Sequence, residues 1–173
     1  EIYTLSLHDA LPIWSAGGVQ VGVRYNALSV DHLESSGEKE IEALKGSKTM
    51  PTGLPGCSFF LNLPYAPLKQ MINSGLSVAL ATDFNPGSTP SGNMKMVLSL
   101  ACIKMRLTPA QAINAATING AYALGISDTH GSITAGKAAN LFITTEIPSI
   151  AYIPYSYTEP MVDTVILNGK IYR

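Results

Sequence analysis

Two side chains that could carry chemistry, Asp83 and His32, each stand at the end of a short apolar run. Asp83 lies in the stretch 76–88, LSVALATDFNPGS, where small and β-branched residues give way to turn formers. An apolar run of this length, bounded by turn formers, is typical of a buried parallel strand. Because the carboxyl ends of such strands carry the functional groups of α/β barrels and sheets, Asp83 is predicted to work at that edge.

His32 occupies the same kind of position, near the end of the segment 28–33, LSVDHL. Each of the two residues also has a structural interpretation. An aspartate at a strand end often caps a turn, and a single histidine often hydrogen-bonds inside a core. The residue types alone leave both alternatives open.

The elements around these residues predict parallel strands joined by helices. The predicted strands are 28–33, 49–54 and a segment from Leu76, and the predicted helices follow Ser35 and cover 66–74. Ser35 and Glu38 have the spacing of a capping box, and 55–58 reads as a turn. The alternating order implies right-handed helical crossovers, as in part of a barrel or a doubly wound sheet.

A change of architecture is expected toward the end of the chain. Segment 94–106 and a segment from Thr108 to Gly125 read as two helices, the second opened by a capping residue and a first-turn proline. Asn168-Gly169 between alternating apolar residues predicts a hairpin, so the last part should be antiparallel β.

The composition excludes several classes of function. The chain has 11 basic and 12 acidic residues and a formal net charge of -1, which argues against nucleic acid as a partner. No apolar run reaches membrane-spanning length. Cys57 and Cys102 lie far apart in apolar settings and lack the spacing of a structural zinc site. They are predicted to be buried free thiols of a cytoplasmic protein.

Several stretches resemble one enzyme family. From about Gly17 onward, the segments LSVDHL, LTPAQAINAATINGAYALG, GSITAGKAANLFI and, most specifically, ATDFNPGS resemble the C-terminal portion of the imidazolonepropionases, which belong to the metal-dependent amidohydrolase superfamily. The resemblance implies an α/β fold, the C-terminal part of a metal-dependent (β/α)8, TIM-like barrel, followed by part of a small β-sandwich.

The same resemblance divides the chain into three parts. Residues 15–127 would supply barrel strands six to eight, and residues 128–173 would supply the C-terminal part of a composite β-sandwich. Residues 1–14 resemble the translation of a sequencing adapter and are expected to be non-native. His8 and Asp9 of that segment are therefore left out of the predicted site.

The resemblance also assigns roles to individual residues. Asp83 corresponds to the family's metal ligand and proton carrier, and His32 to the histidine that hydrogen-bonds the substrate carbonyl. Asn85, Gly87 and Ser88 correspond to the loop that holds substrate or product. The implied reaction is metal-dependent hydrolysis of the ring amide of 4-imidazolone-5-propanoate to N-formimidoyl-L-glutamate in histidine catabolism, with a zinc or iron ion as cofactor.

The resemblance places the family's other metal ligands before the start of this chain, which leaves Asp83 as one carboxylate to hold the ion. The polypeptide alone is therefore expected to be inactive. The expected partner is a small-molecule substrate, without nucleic acid or membrane, and the parent enzyme is compatible with a homodimer. Two alternatives stay open: a fragment of another amidohydrolase, such as a deaminase or cyclic amidase, or a non-catalytic remnant of the scaffold.

Overall fold

A computed structural model describes residues 17–172, so the expectations for residues 1–14, including His8 and Asp9, lie outside the described residues. Its helices and strands are, in chain order, α1 Gly18–Arg24, β1 Ser29–Val30, α2 Glu38–Leu44, β2 Met50–Gly53, α3 Pro55–Phe60, α4 Leu68–Asn73, β3 Ala79–Leu80, α5 Met94–Ile103, α6 Pro109–Ala116, α7 Ile118–Ala123, β4 Leu141–Thr144, α8 Tyr152–Tyr155, β5 Val162–Leu167 and β6 Lys170–Tyr172.

Strands β1, β2 and β3 form a parallel sheet in that order, which confirms the predicted arrangement. Ser29 pairs with Met50, and Thr52 pairs with Ala79. Helix α2 connects the first two strands, and helices α3 and α4 connect the second and third. Parallel strands need such crossovers, and every crossover returns the chain so that the carboxyl ends of all three strands meet at one edge.

One face of this sheet packs against helices to form the core. Leu68 and Met71 of α4 are completely buried, and Leu80 of β3 belongs to the same cluster. A Cβ atom added to Gly53 would lie 2.6 Å from the Leu68 Cδ1 atom, so only glycine lets helix and strand approach this closely. Burying a leucine side chain stabilises the fold by about 1.5–3 kcal/mol, so this face anchors the sheet.

The connection between β2 and β3 differs from the prediction. The segment 55–58 was expected to be a turn, but it begins helix α3, with Pro55 at the first helical position. Proline is well suited to that position because its fixed φ angle is helical and its missing N–H would have no partner there. The helix places Cys57 directly after the carboxyl end of β2.

Helix α2 begins later than the Ser35 capping box predicted. Its N-cap is Gly37, whose N–H donates to the Glu40 carboxylate at 2.8 Å. Glu40 also accepts a bond from Gln20 and is buried, although it carries a carboxylate. The charge is tolerated in the interior because hydrogen bonds compensate its lost hydration.

The predicted helix from Thr108 to Gly125 is divided in two. Its capping box is confirmed, since the Thr108 hydroxyl accepts from the Gln111 N–H and the Gln111 side chain accepts from the Thr108 N–H. The helix ends at Thr117, where ψ is -88°, and the Thr117 hydroxyl donates to the Ile113 carbonyl at 2.7 Å. Helix α7 then begins at Ile118 and lies beside β2 and β3.

The C-terminal part forms a separate antiparallel sheet, in the order β4-β5-β6. The predicted hairpin is confirmed, with both Asn168 and Gly169 in the left-handed region at φ 49° and 77°. Among residues 17–172 this is the single antiparallel sheet, so the composite β-sandwich stays a prediction. Within the same residues, no helix has both the length and the apolar character that crossing a bilayer requires.

Candidate functional site

Three residues from three strand ends meet at the carboxyl edge of the parallel sheet. His32 follows β1, Cys57 follows β2 inside α3, and Asp83 follows β3. Each offers a donor atom, a ring nitrogen, a sulfur and a carboxylate oxygen, and all three atoms lie within 4.8 Å of one another. The two residues singled out by the sequence are therefore close together, and a third joins them.

The backbone at two of these positions is unusual. His32 has a φ angle of 69° and Asp83 one of 54°, so both lie in the left-handed region. Residues other than glycine adopt this region rarely, and such conformations cluster at functional sites where the surrounding structure enforces them. Here each turn of the chain comes directly at the end of its strand.

The carboxylate of Asp83 is held by two hydroxyl groups. The Ser88 Oγ donates to the Asp83 Oδ2 at 3.2 Å, and the Thr89 Oγ1 donates to the same atom at 3.4 Å. Neither bond uses Oδ1. The turn-capping alternative is not seen in these contacts, because the carboxylate accepts side-chain hydroxyls rather than backbone N–H groups.

The side-chain amide of Asn85 builds the loop that follows. Its Oδ1 accepts from the Gly87 N–H at 2.9 Å and from the Ser88 N–H at 2.8 Å. Its Nδ2 donates at 2.7 Å both to the Asp83 carbonyl and to the Ser88 Oγ. In this conformation the predicted substrate-binding residues therefore bond to one another, and Asn85 sets the position of the serine that holds Asp83.

An acidic side chain supports His32. The Glu34 Oε1 lies 3.5 Å from the His32 Nδ1 and accepts from the Ser58 Oγ at 3.3 Å. The Glu34 carboxylate raises the pKa of His32, and burial of the ring partly offsets that rise. Sequence analysis did not single out Glu34; its place two residues after His32 at a strand end was the available signal.

Cys57 does not lie in the apolar setting expected for it. Its side chain is completely buried, but the Ser88 hydroxyl and the Asp83 carboxylate lie beside it. Burial raises the pKa of the thiol, and the Ser88 contact acts in the opposite direction. Both Cys57 and Cys102 are free, as predicted, although Cys102 is only partly buried.

Asp83 also lines a cleft of about 720 Å³ beside the parallel sheet. Thr52 and Ala81 contribute from the strands and their ends, and Thr117 and His130 contribute from the other side. The cleft gives a small polar molecule access to the carboxylate.

The donor set fits a metal ion of the zinc type. Zinc accepts imidazole nitrogen, thiolate sulfur and carboxylate oxygen, and a carboxylate at the second ring nitrogen of a ligating histidine is a common support. The expectation that Asp83 is the one metal ligand in this chain stays a prediction. Within residues 17–172, three donors are close enough together to be considered.

Comparisons with known proteins give consistent results. The sequence profile described as the amidohydrolase family matches residues 27–172. The chain is 60% identical over 157 residues to an imidazolonepropionase of Christiangramia forsetii and 61% identical over 157 residues to one of Flavobacterium johnsoniae. Each match covers 91% of this chain and 38% of the relative, so the chain spans little more than a third of their length.

Solved structures resemble the fold. An adenosine deaminase from Xanthomonas campestris with bound zinc superposes with a TM-score of 0.75 at 22% identity, over 86% of this chain and 38% of its own. An ochratoxinase from A. niger gives a TM-score of 0.74 at 22% identity, over 90% of this chain and 39% of its own. At these identities the likeness establishes the fold, and the described residues correspond to part of a larger architecture.

Proposed function

The chain belongs to the amidohydrolase family, and on this premise we propose that the whole protein of which it forms part is an imidazolonepropionase. The reaction is metal-dependent hydrolysis of the ring amide of 4-imidazolone-5-propanoate to N-formimidoyl-L-glutamate. The observation that carries the proposal is the meeting of His32 and Asp83 within 4.8 Å, in a chain 60% identical to enzymes of that name.

The side chains of this chain have complementary parts in that reaction. Asp83 takes a proton from the attacking water and returns it to the leaving ring nitrogen, a transfer suited to a carboxylate at the cleft edge. His32 donates a hydrogen bond to the amide carbonyl and stabilises the negative charge that develops there. Glu34, 3.5 Å from the His32 ring, favours its protonated form and fixes its orientation.

The loop after β3 has a role in positioning. Asn85 orients Ser88, and Ser88 in turn donates to the Asp83 carboxylate. The Gly87 N–H donates to the Asn85 Oδ1. We propose that this loop contacts the substrate when some of these bonds exchange for bonds to its carboxylate or ring.

A zinc or iron ion is the proposed cofactor, with Asp83 as a ligand. When bound, such an ion supplies a Lewis acid that makes water acidic enough to attack an amide near neutral pH. The remaining ligands of the whole enzyme are proposed to come from the part of the relatives that this chain does not match. By itself the chain is therefore proposed to be inactive toward the ring amide.

The domain division proposed for the whole protein follows the two sheets. Residues 15–127 are assigned to the barrel as its sixth to eighth strands, and residues 128–173 to the C-terminal part of a β-sandwich. The partner is a small-molecule substrate. The two free thiols suit a reducing compartment, so we place the protein in the cytoplasm.

A chimera tests the proposed reaction. Residues 17–173 would replace the matching part of the Flavobacterium johnsoniae relative, where 61% identity favours compatible packing. Loss of the imidazolone ring absorbance would report hydrolysis, and ammonia release from purine substrates would report deamination. Hydrolysis of the imidazolone ring is expected. Ammonia release without it would refute the proposal in favour of a deaminase, and inactivity of the folded chimera on both would favour a non-catalytic remnant.

Substitutions in the chimera test the assigned roles. Asp83→Asn and His32→Gln are each expected to lower kcat by about 10²–10⁴-fold, the range typical of a positioned acid or base. Asp128→Asn, which neutralises an exposed carboxylate, is the matched control and should leave the rate unchanged. A fully active Asp83→Asn chimera would contradict the assignment of Asp83.

A further inference from the structure

We propose that Ser58 is a positioning residue that acts on His32 through Glu34. The inference rests on the proposed function, because it concerns the side chain assigned there to the substrate carbonyl. It gives a role to a buried hydroxyl group that the proposed reaction does not otherwise use.

Ser58 is a buried residue of helix α3 whose hydroxyl group reaches a distant part of the chain. The residue is 1% exposed, and its Oγ donates to the Glu34 Oε1 at 3.3 Å. A buried hydroxyl is costly unless it is hydrogen-bonded, so this bond holds both groups in place. The bond links the helix after β2 to the segment after β1.

The oxygen that accepts from Ser58 is also the one that faces the His32 ring. Glu34 Oε1 lies 3.5 Å from the His32 Nδ1, which is beyond the usual N–H···O distance of about 2.7–3.2 Å. The ring nitrogen is buried and has no hydrogen-bond partner among residues 17–172. Contacts at catalytic groups often shorten when substrate binds, so Glu34 is placed to accept from Nδ1.

Holding this oxygen determines how the ring is presented. When the Nδ1–H is directed to Glu34, the Nε2–H of the protonated ring is left to donate to the substrate carbonyl. The side chains of His32 and Glu34 are only 12% and 7% exposed, so solvent screens their interaction weakly. Without the Ser58 hydroxyl, the Glu34 carboxylate could rotate away, and the ring would lose its fixed orientation.

Kinetics of the chimera described above test the inference. Ser58→Ala is expected to lower kcat about 10-fold, which corresponds to about 1.4 kcal/mol, and to leave KM unchanged because Ser58 does not touch the substrate. In a Glu34→Ala background the same substitution should cause no further loss, since its effect passes through Glu34.

Ser99 provides the matched control. It is also a buried serine within a helix, and its hydroxyl donates to the Pro154 carbonyl at 2.6 Å. Ser99→Ala should keep the full kcat, and circular dichroism of each variant would establish that it is folded. A kcat of Ser58→Ala equal to that of Ser99→Ala would overturn the inference, as would an undiminished loss in the Glu34→Ala background.

A second measurement does not require activity. The ¹⁵N chemical shifts of the His32 ring, measured in the histidine-labelled chimera at a pH where the ring is neutral, report which nitrogen carries the proton. We expect the proton on Nδ1, and a shift of population toward Nε2 in Ser58→Ala. The same proton distribution in both proteins would overturn the inference. A folded chimera without hydrolytic activity would instead refute the proposed function, and the ring shifts would still decide the role of Ser58.

Discussion

The contact between helix α3 and the loop that carries Asp83 leads to a quantitative prediction. A Cβ atom placed on Gly56 would lie 2.7 Å from the Thr89 Cγ2 atom and 3.4 Å from the Thr82 carbonyl oxygen. Thr89 is buried, so its methyl group has little freedom to move away. Gly56→Ala is therefore expected to push the loop away from the helix.

The size of the effect follows from the cost of overpacking. Forcing an extra methyl group into a packed interior costs about 1–3 kcal/mol. Gly18→Ala is the control, because Gly18 is also helical and a Cβ there meets nothing within 4 Å. The control removes the general benefit of alanine in a helix, which is about 0.5–1 kcal/mol.

Thermal unfolding followed by circular dichroism measures the difference between the two variants. For a chain of this size, 1 kcal/mol corresponds to about 2–4 °C, so Gly56→Ala should melt roughly 2–12 °C below Gly18→Ala. The comparison requires one protein concentration, because association shifts apparent stability. Thr89→Ser removes the methyl group that the new Cβ atom would meet. Combined with Gly56→Ala, it should therefore recover most of the lost thermal stability.

Two results would refute the reasoning. If Gly56→Ala melted together with Gly18→Ala, the helix and the Asp83 loop would not be in contact as described. If Thr89→Ser failed to restore stability to Gly56→Ala, the Thr89 methyl group would not be the obstacle, and the position of the loop beside α3 would need revision.

Three further predictions concern other parts of the chain. Glu34→Gln should lower the pKa of His32, since the carboxylate is the largest cause of its rise; an unchanged NMR titration of the metal-free chain would contradict this. Thr108→Ala should cost about 1 kcal/mol by urea denaturation, because its hydroxyl caps helix α6 by accepting from the Gln111 N–H. The chain should also self-associate, since the strands of the β4-β5-β6 sheet expose large apolar side chains; size-exclusion elution independent of concentration would argue against it.

Features set by local chemistry could be predicted from the sequence. The Thr108 capping box and the Asn168-Gly169 turn both depend on residues next to one another in the chain, and both are present. The parallel order of the sheet was also predictable, because short apolar segments separated by helical ones restrict the chain to crossover connections. Asp83 and His32 were found because each ends one of these segments.

Features set by tertiary contacts were not predictable. The apolar pattern continues through Thr117, but Gly131 packs closely against the chain there, and a Cβ on it would lie 3.1 Å from the Thr117 carbonyl. Periodicity cannot reveal such a break, because it arises from a contact with a residue distant in the sequence. Glu40 is a similar case, since its burial depends on Gln20 of another helix.

For the same reason, the sequence identified only some of the residues at the site. Cys57 and Glu34 have no unusual spacing from His32 or Asp83, and their importance arises where the ends of three strands converge. A cysteine within an apolar sequence is usually an inert core residue. Its neighbours in space, rather than its neighbours in sequence, distinguish Cys57 from Cys102.

The strand ends fix the positions of the site residues, whereas the cleft also depends on other parts of the chain. The positions of His32, Cys57 and Asp83 are fixed by three paired strands and by the crossovers between them, all of which lie within residues 17–172. The cleft beside Asp83 is lined by these strands, by helix α7 and by the segment of His130 and Gly131, and the relatives have further chain that this one does not match. The relative positions of these three side chains should therefore be the same in the chain alone and in the chimera with the Flavobacterium johnsoniae relative.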